Sequence, residues 1–201
     1  MINENEEVNT KDRILYVSEE LFAENGYHAT SIRDITRRAG VHIGSVNYHF
    51  SSKEGLFQAV ISRKISKINE ERLILLKESG ESVEEVLRAF LSPALHFSQE
   101  GNSSFMRLMG RLYVEPGEFW KPVFELFEDV VKAFSGALAR ALPHLSETEL
   151  VWRFHFMIGS MCHVLMDTQG IGFLSGDKID SKDTDLILNE MVAFSAAGFR
   201  S

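Results

Sequence analysis

Residues 31–50, SIRDITRRAGVHIGSVNYHF, hold two short apolar-periodic segments joined at a single glycine. Ser31 and Asp34 have capping-box spacing, Ile32, Ile35 and Ala39 fall on one helical face, and Gly40 stops the segment. Past the turn, residues 43–49 read as a second short helix that turns Val46 and Phe50 inward and leaves His42, Ile43, Asn47, Tyr48 and His49 largely outward. A preceding helix is capped at Thr10, carries Ile14, Leu15, Ser18, Leu21 and Phe22 on one face, and ends at Asn25 and Gly26. Three short helices about a tight glycine turn form a helix-turn-helix unit.

The formal charge of −8 argues against a polyanionic partner until its distribution is considered. Residues 11–67 carry nine Lys/Arg against six Asp/Glu, whereas residues 68–201 carry twelve against twenty. The basic surplus therefore lies on the helix-turn-helix unit. With 44% hydrophobic residues the 201-residue chain can build a substantial core. The single cysteine, Cys162, excludes an intrachain disulfide and a cysteine-rich zinc site. The opening MINENEEVNTKD is not a signal peptide, and no apolar run reaches membrane-spanning length, which points to a soluble, cytoplasmic protein.

Beyond the first three helices, Ser51 and Glu54 open a long helix to about Lys77, closed by Ser79 and Gly80. Ser82 and Glu85 cap a fifth, which Pro93 is expected to kink or break. SSFMRLMGRLYV gives a sixth, closed by Pro116 and Gly117. In a seventh, Trp120, Phe124, Phe127, Val131, Phe134 and Leu138 recur at alternating spacings of four and three as a broad aromatic stripe, and Pro143 ends it. The eighth, from Ser146 to about Thr168, is apolar on most sides and must be covered on two faces. QGIGFLSGDKIDSKD reads as a loop before a last helix containing Ile187, Leu188, Met191, Val192 and Phe194. The expected fold is all-α, with about nine helices, no strand and no internal repeat.

LFAENGYHATSIRDITRRAGV and NYHFSSKEGLF, at their mutual spacing, resemble the head of a TetR-family transcriptional regulator, and the resemblance covers about a quarter of the chain. SFMRLMGRL, ALPHLSETELVWRFHFMIGSM and MVAFSAAGF resemble the fatty-acid-responsive branch of that family. The resemblance implies a DNA-binding head at residues 1–52 and a ligand-binding and dimerisation body at residues 53–201. It also implies phosphate contacts from Thr30, Tyr48, His49 and Lys53. The family often has Ser or Thr where this chain has His42, a basic or small residue at Ile43, and an aromatic residue at Asn47. By chemistry, Asn47 pairs bidentately with adenine, Ile43 meets a thymine methyl and Gly44 permits close approach. Ser31, His42 and Ser45 complete the nominated DNA-contact set.

In the body, the aromatic stripe is either core or pocket lining. Across the whole chain, fifteen Phe and seven Met supply adaptable apolar surface suited to a long hydrocarbon. Phe105, Met109, Tyr113, Trp120, Phe124, Phe127, Val131 and His155 are the nominated lining. Arg107, Arg111 and Arg153 lie within apolar helices and either receive an anionic head group or pair with a neighbouring Glu. Met157, Met161, Leu188 and Met191 are nominated as the dimer interface of the last two helices. His155, Cys162 and His163 have spacing compatible with a shared metal, but a buried thiol beside two hydrogen-bonded histidines is the simpler reading. No cofactor, metal or catalytic constellation is expected. The resulting expectation is a dimeric repressor released from a palindromic operator by a small hydrophobic effector, with a long-chain acyl ligand as the candidate. Its rivals are a DNA-binding protein without a ligand and a helical lipid-binding or enzymatic protein whose head does not bind DNA.

Overall fold

The computed structural model describes residues 4–114, 120–166 and 170–201, with side chains from Thr10 onward, Trp120 excepted. Among these residues there are eleven helices and no strand: α1 (Glu4–Ala29), α2 (Ile32–Ala39), α3 (Ile43–Phe50), α4 (Lys53–Glu78), α5 (Val83–Gln99), α6 (Ser103–Val114), α7 (Trp120–Glu125), α8 (Glu128–Ala141), α9 (Glu147–Met166), α10 (Gly170–Ser175) and α11 (Thr184–Arg200). The all-α expectation holds. No described helix is long and apolar enough to cross a membrane.

Several helix ends follow from local chemistry. Ser31 and Asp34 form the expected capping box on α2, and Gly40 closes it at φ 63°, ψ 38°, in the left-handed region that favours glycine. Ser82 with Glu85 and Ser146 with Glu149 do the same for α5 and α9. Thr10 is not the start of α1, which begins at Glu4. Gly26, at φ 81° and ψ 167°, breaks the helical path where the end of that helix was expected, although helical hydrogen bonding resumes to Ala29.

The cap of α4 falls one residue later than expected. Ser51 is used in closing α3, with φ 64° and its N–H donated to the Asn47 carbonyl, so the Ser52 hydroxyl accepts the Gly55 N–H at 3.0 Å instead. A Cβ at position 55 would collide with the Phe50 carbonyl, so this joint accepts glycine alone.

The chain divides into two compact units: residues 1–66 with 103–126, and residues 67–102 with 127–201. In the first, α1 packs on α2, α3 and most extensively on α6. Its core holds Ile14, Phe22, Ile35, Val46, Leu56 and Phe57, with Phe105 and Leu108 from α6. Phe22 and Phe57 meet edge to face at 5.1 Å. Arg38 of α2 pairs with Glu20 and Glu24 of α1, and Lys64 of α4 pairs with Glu19 at 2.8 Å.

In the second unit α5 is central, packed on α8, α9 and above all α11. Phe90 stands edge to face with both Phe134 and Phe154 at 5.1 Å. Arg200 near the end of α11 forms a two-pronged ion pair with Glu84 at the start of α5. Contrary to expectation, α5 runs unbroken through Pro93. Residues 89–95 are all buried, so packing on both sides of the proline outweighs the one ladder bond it removes.

The expected seventh helix is two helices. It breaks at Leu126 and Phe127, leaving α7 in the first unit and α8 in the second. The acidic pair Glu128 and Asp129 occupies the first turn of α8, the favourable end of its dipole, and starts a new helix there. The Gly-rich segment read as a loop contains α10, stopped by Gly176 at φ 61°. Pro116, Gly117 and Thr168, expected at helix ends, lie outside the described residues.

Candidate nucleic-acid interface and body residues

α3 is amphipathic in the sense that matters for recognition. Val46 and Phe50 are buried, whereas Ile43, Gly44, Asn47 and Tyr48 are exposed, with Ser45 and His49 half-buried. Tyr48 is 75% exposed and lies edge-on to His49 at 5.0 Å. His42 caps the helix, its Nδ1 accepting the Gly44 N–H at 3.2 Å. That acceptor role places the ring proton on Nε2, so His42 offers a donor outward. Lys53, in the first turn of α4, rests its ammonium 4.2 Å from the Tyr27 ring centroid, and partial burial lowers its affinity for a proton.

Two nominated contacts have other structural duties. Thr30 is 2% exposed, and its hydroxyl lies 2.8 Å from the Gly26 carbonyl and 3.1 Å from that of Leu21. It closes α1 rather than facing a partner. Ser31 is exposed, but its hydroxyl holds Asp34 in the capping box, and chiefly for that reason the Asp34 carboxyl titrates below its ordinary range.

The nominated body residues are divided between the two compact units. Phe105, Arg107, Met109, Arg111, Tyr113, Trp120 and Phe124 belong to the first unit, while Phe127, Val131, Arg153 and His155 belong to the second. Phe105 is core; Phe124 is 53% exposed; the Trp120 side chain lies outside the described residues. On α8 the buried positions are Val130, Phe134, Ala137 and Leu138, so Val131 is displaced from the core-facing row. Met109 and Phe127 are half-buried, and Tyr113 is exposed.

The three nominated arginines have local partners. Arg107 donates to Ser104, and Arg111 donates to the Glu24 carbonyl at 2.9 Å just before the Gly26 break. Arg153 donates to the Phe199 carbonyl at 2.7 Å and stands 3.7 Å from Glu149.

Met157, Met161, Leu188 and Met191 are 3–7% exposed, buried in the chain's own core, and so cannot meet a partner. The apolar surface of the same helices lies elsewhere: Val151, Trp152 and Phe156 on α9, and Leu186 and Phe194 on α11. Trp152 and Phe156 stack at 5.6 Å, one turn apart, with His155 edge-on to Trp152. His155 and His163 are exposed while Cys162 is half-buried, and no group of three metal-ligating side chains comes together among the described residues.

A cleft of about 540 Å³ in the first unit is lined by Phe57, Gln58, Ile61 and Ser62 of α4 and by Pro122 and Val123 of α7. None of the residues nominated from the sequence lines it.

Sequence reasoning passed over Arg72, which is 2% exposed. Glu70 and Glu71 beside it suggest a solvated face, yet Arg72 continues the row Ile61, Ile65 and Ile68 at spacings of four, three and four. That periodicity was the available signal.

The arrangement defines a three-helix helix-turn-helix head followed by a helical body. Residues 14–60 match the family of bacterial regulatory proteins of the tetR type, and residues 88–198, more than half of the chain, match the tetracyclin repressor-like C-terminal domain. The chain belongs to the TetR family. Among curated relatives, the HTH-type transcriptional regulator QacR of Staphylococcus aureus is 41% identical over 64 residues, 32% of this chain and 34% of QacR. The chain thus spans about a third of that relative. Among solved structures, the transcriptional regulator FadR of Bacillus subtilis, in complex with stearoyl-CoA, superposes with a TM-score of 0.74 at 17% identity, covering 92% of this chain and 97% of that one. The fatty acid degradation regulator FadR of Bacillus halodurans gives 0.74 at 15% identity, with 95% and 96% covered. These likenesses establish the shared fold.

Proposed function

We propose that this chain is a cytoplasmic, homodimeric DNA-binding repressor whose body takes an apolar effector that releases it from its operator. The observation that carries the reading is α3, whose buried Val46 and Phe50 hold Ile43, Gly44, Asn47 and Tyr48 on the outward face. Asn47 and Ile43 read base edges, whereas Ser45, Tyr48, His49, Lys53 and the His42 Nε2–H hold phosphates. Functionally, residues 1–52 are the head and residues 53–201 the body.

Dimerisation uses the outer faces of α9 and α11, where Trp152, Phe156 and Phe194 stand 56–72% exposed, and sets two recognition helices about one DNA turn apart. Support for an acyl effector comes from the Phe- and Met-rich body and from the fold shared with a regulator solved with stearoyl-CoA. The effector acts through α4, one continuous helix contributing residues to both compact units.

Selection of duplex ligands from a random pool, followed by titration at several salt concentrations, tests the reading. Tyr48→Ala should weaken all sequences alike, and Asn47→Ala should cost ~1–3 kcal/mol at particular base pairs. A wild-type protein with no salt-dependent duplex binding, or an Asn47→Ala protein selecting the same motif, refutes the assigned roles.

A further inference from the structure

Nothing in the packing of the chain accounts for α10. It is six residues long, two of them glycines, and none of its side chains is buried. Phe173 is 86% and Leu174 80% exposed, the two most exposed large apolar side chains among the described residues, and Ile171 beside them is exposed as well. Isolated helices shorter than ~12–15 residues are marginal in water, and glycine is the poorest helix former after proline. The end of α10 is fixed locally. The Asp177 N–H donates to the Gly172 carbonyl at 2.8 Å, and the Ser175 hydroxyl donates to the same carbonyl and accepts the Ile179 N–H, each at 3.2 Å. These bonds set where the helix stops and leave its apolar side chains uncovered.

Area and charge indicate what covers them. On the outer faces of α9 and α11, the exposed parts of Trp152, Phe156 and Phe194 offer on the order of 400 Å², taking about 200 Å² for a whole aromatic side chain. The exposed parts of Val151 and Leu186 add on the order of 100 Å². An obligate homodimer buries about 1,000 Å² or more per partner, roughly two-thirds of it apolar. The two long helices alone fall short of that, and Phe173 and Leu174 supply roughly a further 250 Å², which closes the gap. All three helices belong to the same compact unit. Gly170 is four residues beyond Met166, the end of α9, so the two helix ends lie within ~14 Å of each other and a partner seated on α9 has α10 within reach. A membrane surface is disfavoured by charge. Residues 177–183, DKIDSKD, carry three aspartates against two lysines, whereas interfacial helices set a basic face beside their apolar one.

We propose that α10 is an arm that packs Phe173 and Leu174 against the body of a second copy of this chain. The proposal rests on the reading of the chain as a homodimer through α9 and α11, and adds a third element to that interface. Under twofold symmetry each protomer gives one arm and receives one, so a change in α10 counts twice in the dimer. Both side chains stand in solvent in the isolated chain, so the arm contributes to association and not to the folding of the protomer.

The test uses the full chain. Sedimentation equilibrium over a concentration series compares wild type with the Phe173→Ser, Leu174→Ser double variant and with Phe156→Ala on α9. Amide hydrogen exchange across residues 170–176 is followed in wild type above and below the dimer dissociation constant. The double variant keeps the wild-type circular dichroism spectrum and dimerises at least ~100-fold more weakly, and exchange across 170–176 slows on dimerisation. Should the double variant misfold, the exchange measurement decides alone. A double variant that dimerises within about threefold of wild type, or exchange that is the same in monomer and dimer, overturns the arm, while a weakened Phe156→Ala dimer still upholds the α9 and α11 face. A wild type that stays monomeric at every concentration overturns both. Protection of residues 170–176 by vesicles of phosphatidylcholine and phosphatidylglycerol, with none on dimerisation, assigns α10 to a membrane surface and overturns the proposal.

Discussion

Phe156→Ala separates assembly from folding. Phe156 is 63% exposed, and with about 200 Å² for a whole aromatic side chain it offers on the order of 130 Å² to a partner. At ~25 cal/mol per Å² that surface contributes ~3 kcal/mol on burial, of which alanine retains roughly a third. Each protomer then loses ~2 kcal/mol, and a twofold axis doubles the loss to ~4 kcal/mol, a ~1,000-fold weaker dimer. The same change leaves the fold intact, because the ring is solvated in the isolated chain. Trp152 stacks on Phe156 at 5.6 Å, so the Trp152→Ala, Phe156→Ala double variant should weaken the dimer by less than the sum of the singles. Sedimentation equilibrium across a concentration series gives the dissociation constant, and circular dichroism reports retained helix. A dimer constant within about threefold of wild type would refute the assignment of this face. Met191→Ala is the contrasting change: at 7% exposure it opens a cavity and should lower folding stability by ~2–5 kcal/mol.

Thr30→Val should lower stability by ~1–3 kcal/mol, because the Leu21 and Gly26 carbonyls lose a buried donor, while the folded fraction keeps its DNA affinity. Weaker DNA binding at an unchanged melting temperature would instead make Thr30 a phosphate contact. The capping and ion-paired carboxyls Asp34, Glu84, Glu85 and Glu149 are all held below their ordinary values, chiefly by Ser31, Arg200, Ser82 and Ser146 respectively. Depressed carboxyls contribute stability that is complete above the unfolded-state values, 3.8 for Asp and 4.5 for Glu, and is lost as pH falls through the folded-state values. Melting temperature should therefore fall with acidification below those values, and Glu85→Gln should flatten the fall; a flat wild-type profile contradicts the capping role.

The recognition head was legible because its signals are local. A capping box, a left-handed glycine and the amphipathic pattern of an eight-residue helix each act within two or so turns of chain, and Ser31, Asp34, Gly40, Val46 and Phe50 took their expected places. Thr30 and Ser51 departed from expectation because their polar groups were recruited by the end of the preceding helix, and Thr10 because α1 begins further upstream, at Glu4. The interruption of the aromatic stripe was written in Glu128 and Asp129, a helix start embedded in an otherwise continuous apolar pattern.

The sequence by itself determined most of the helices, though not α10 or the break between α7 and α8, together with most of the caps, the turn between α2 and α3 and the outward face of α3. It also determined that α9 has more apolar surface than one neighbour can cover, but not which side is covered. On a helix apolar all round, periodicity is uninformative, and only packing against α5, α8 and α11 buried Met157 and Met161 while leaving Trp152 and Phe156 in solvent. Tertiary structure likewise decided that α5 continues through Pro93, since burial of residues 89–95 outweighs one lost hydrogen bond. It also decided that Arg72, preceded by Glu70 and Glu71, enters the core, because burial depends on what packs against a helix face and not on the charge of the adjacent residues.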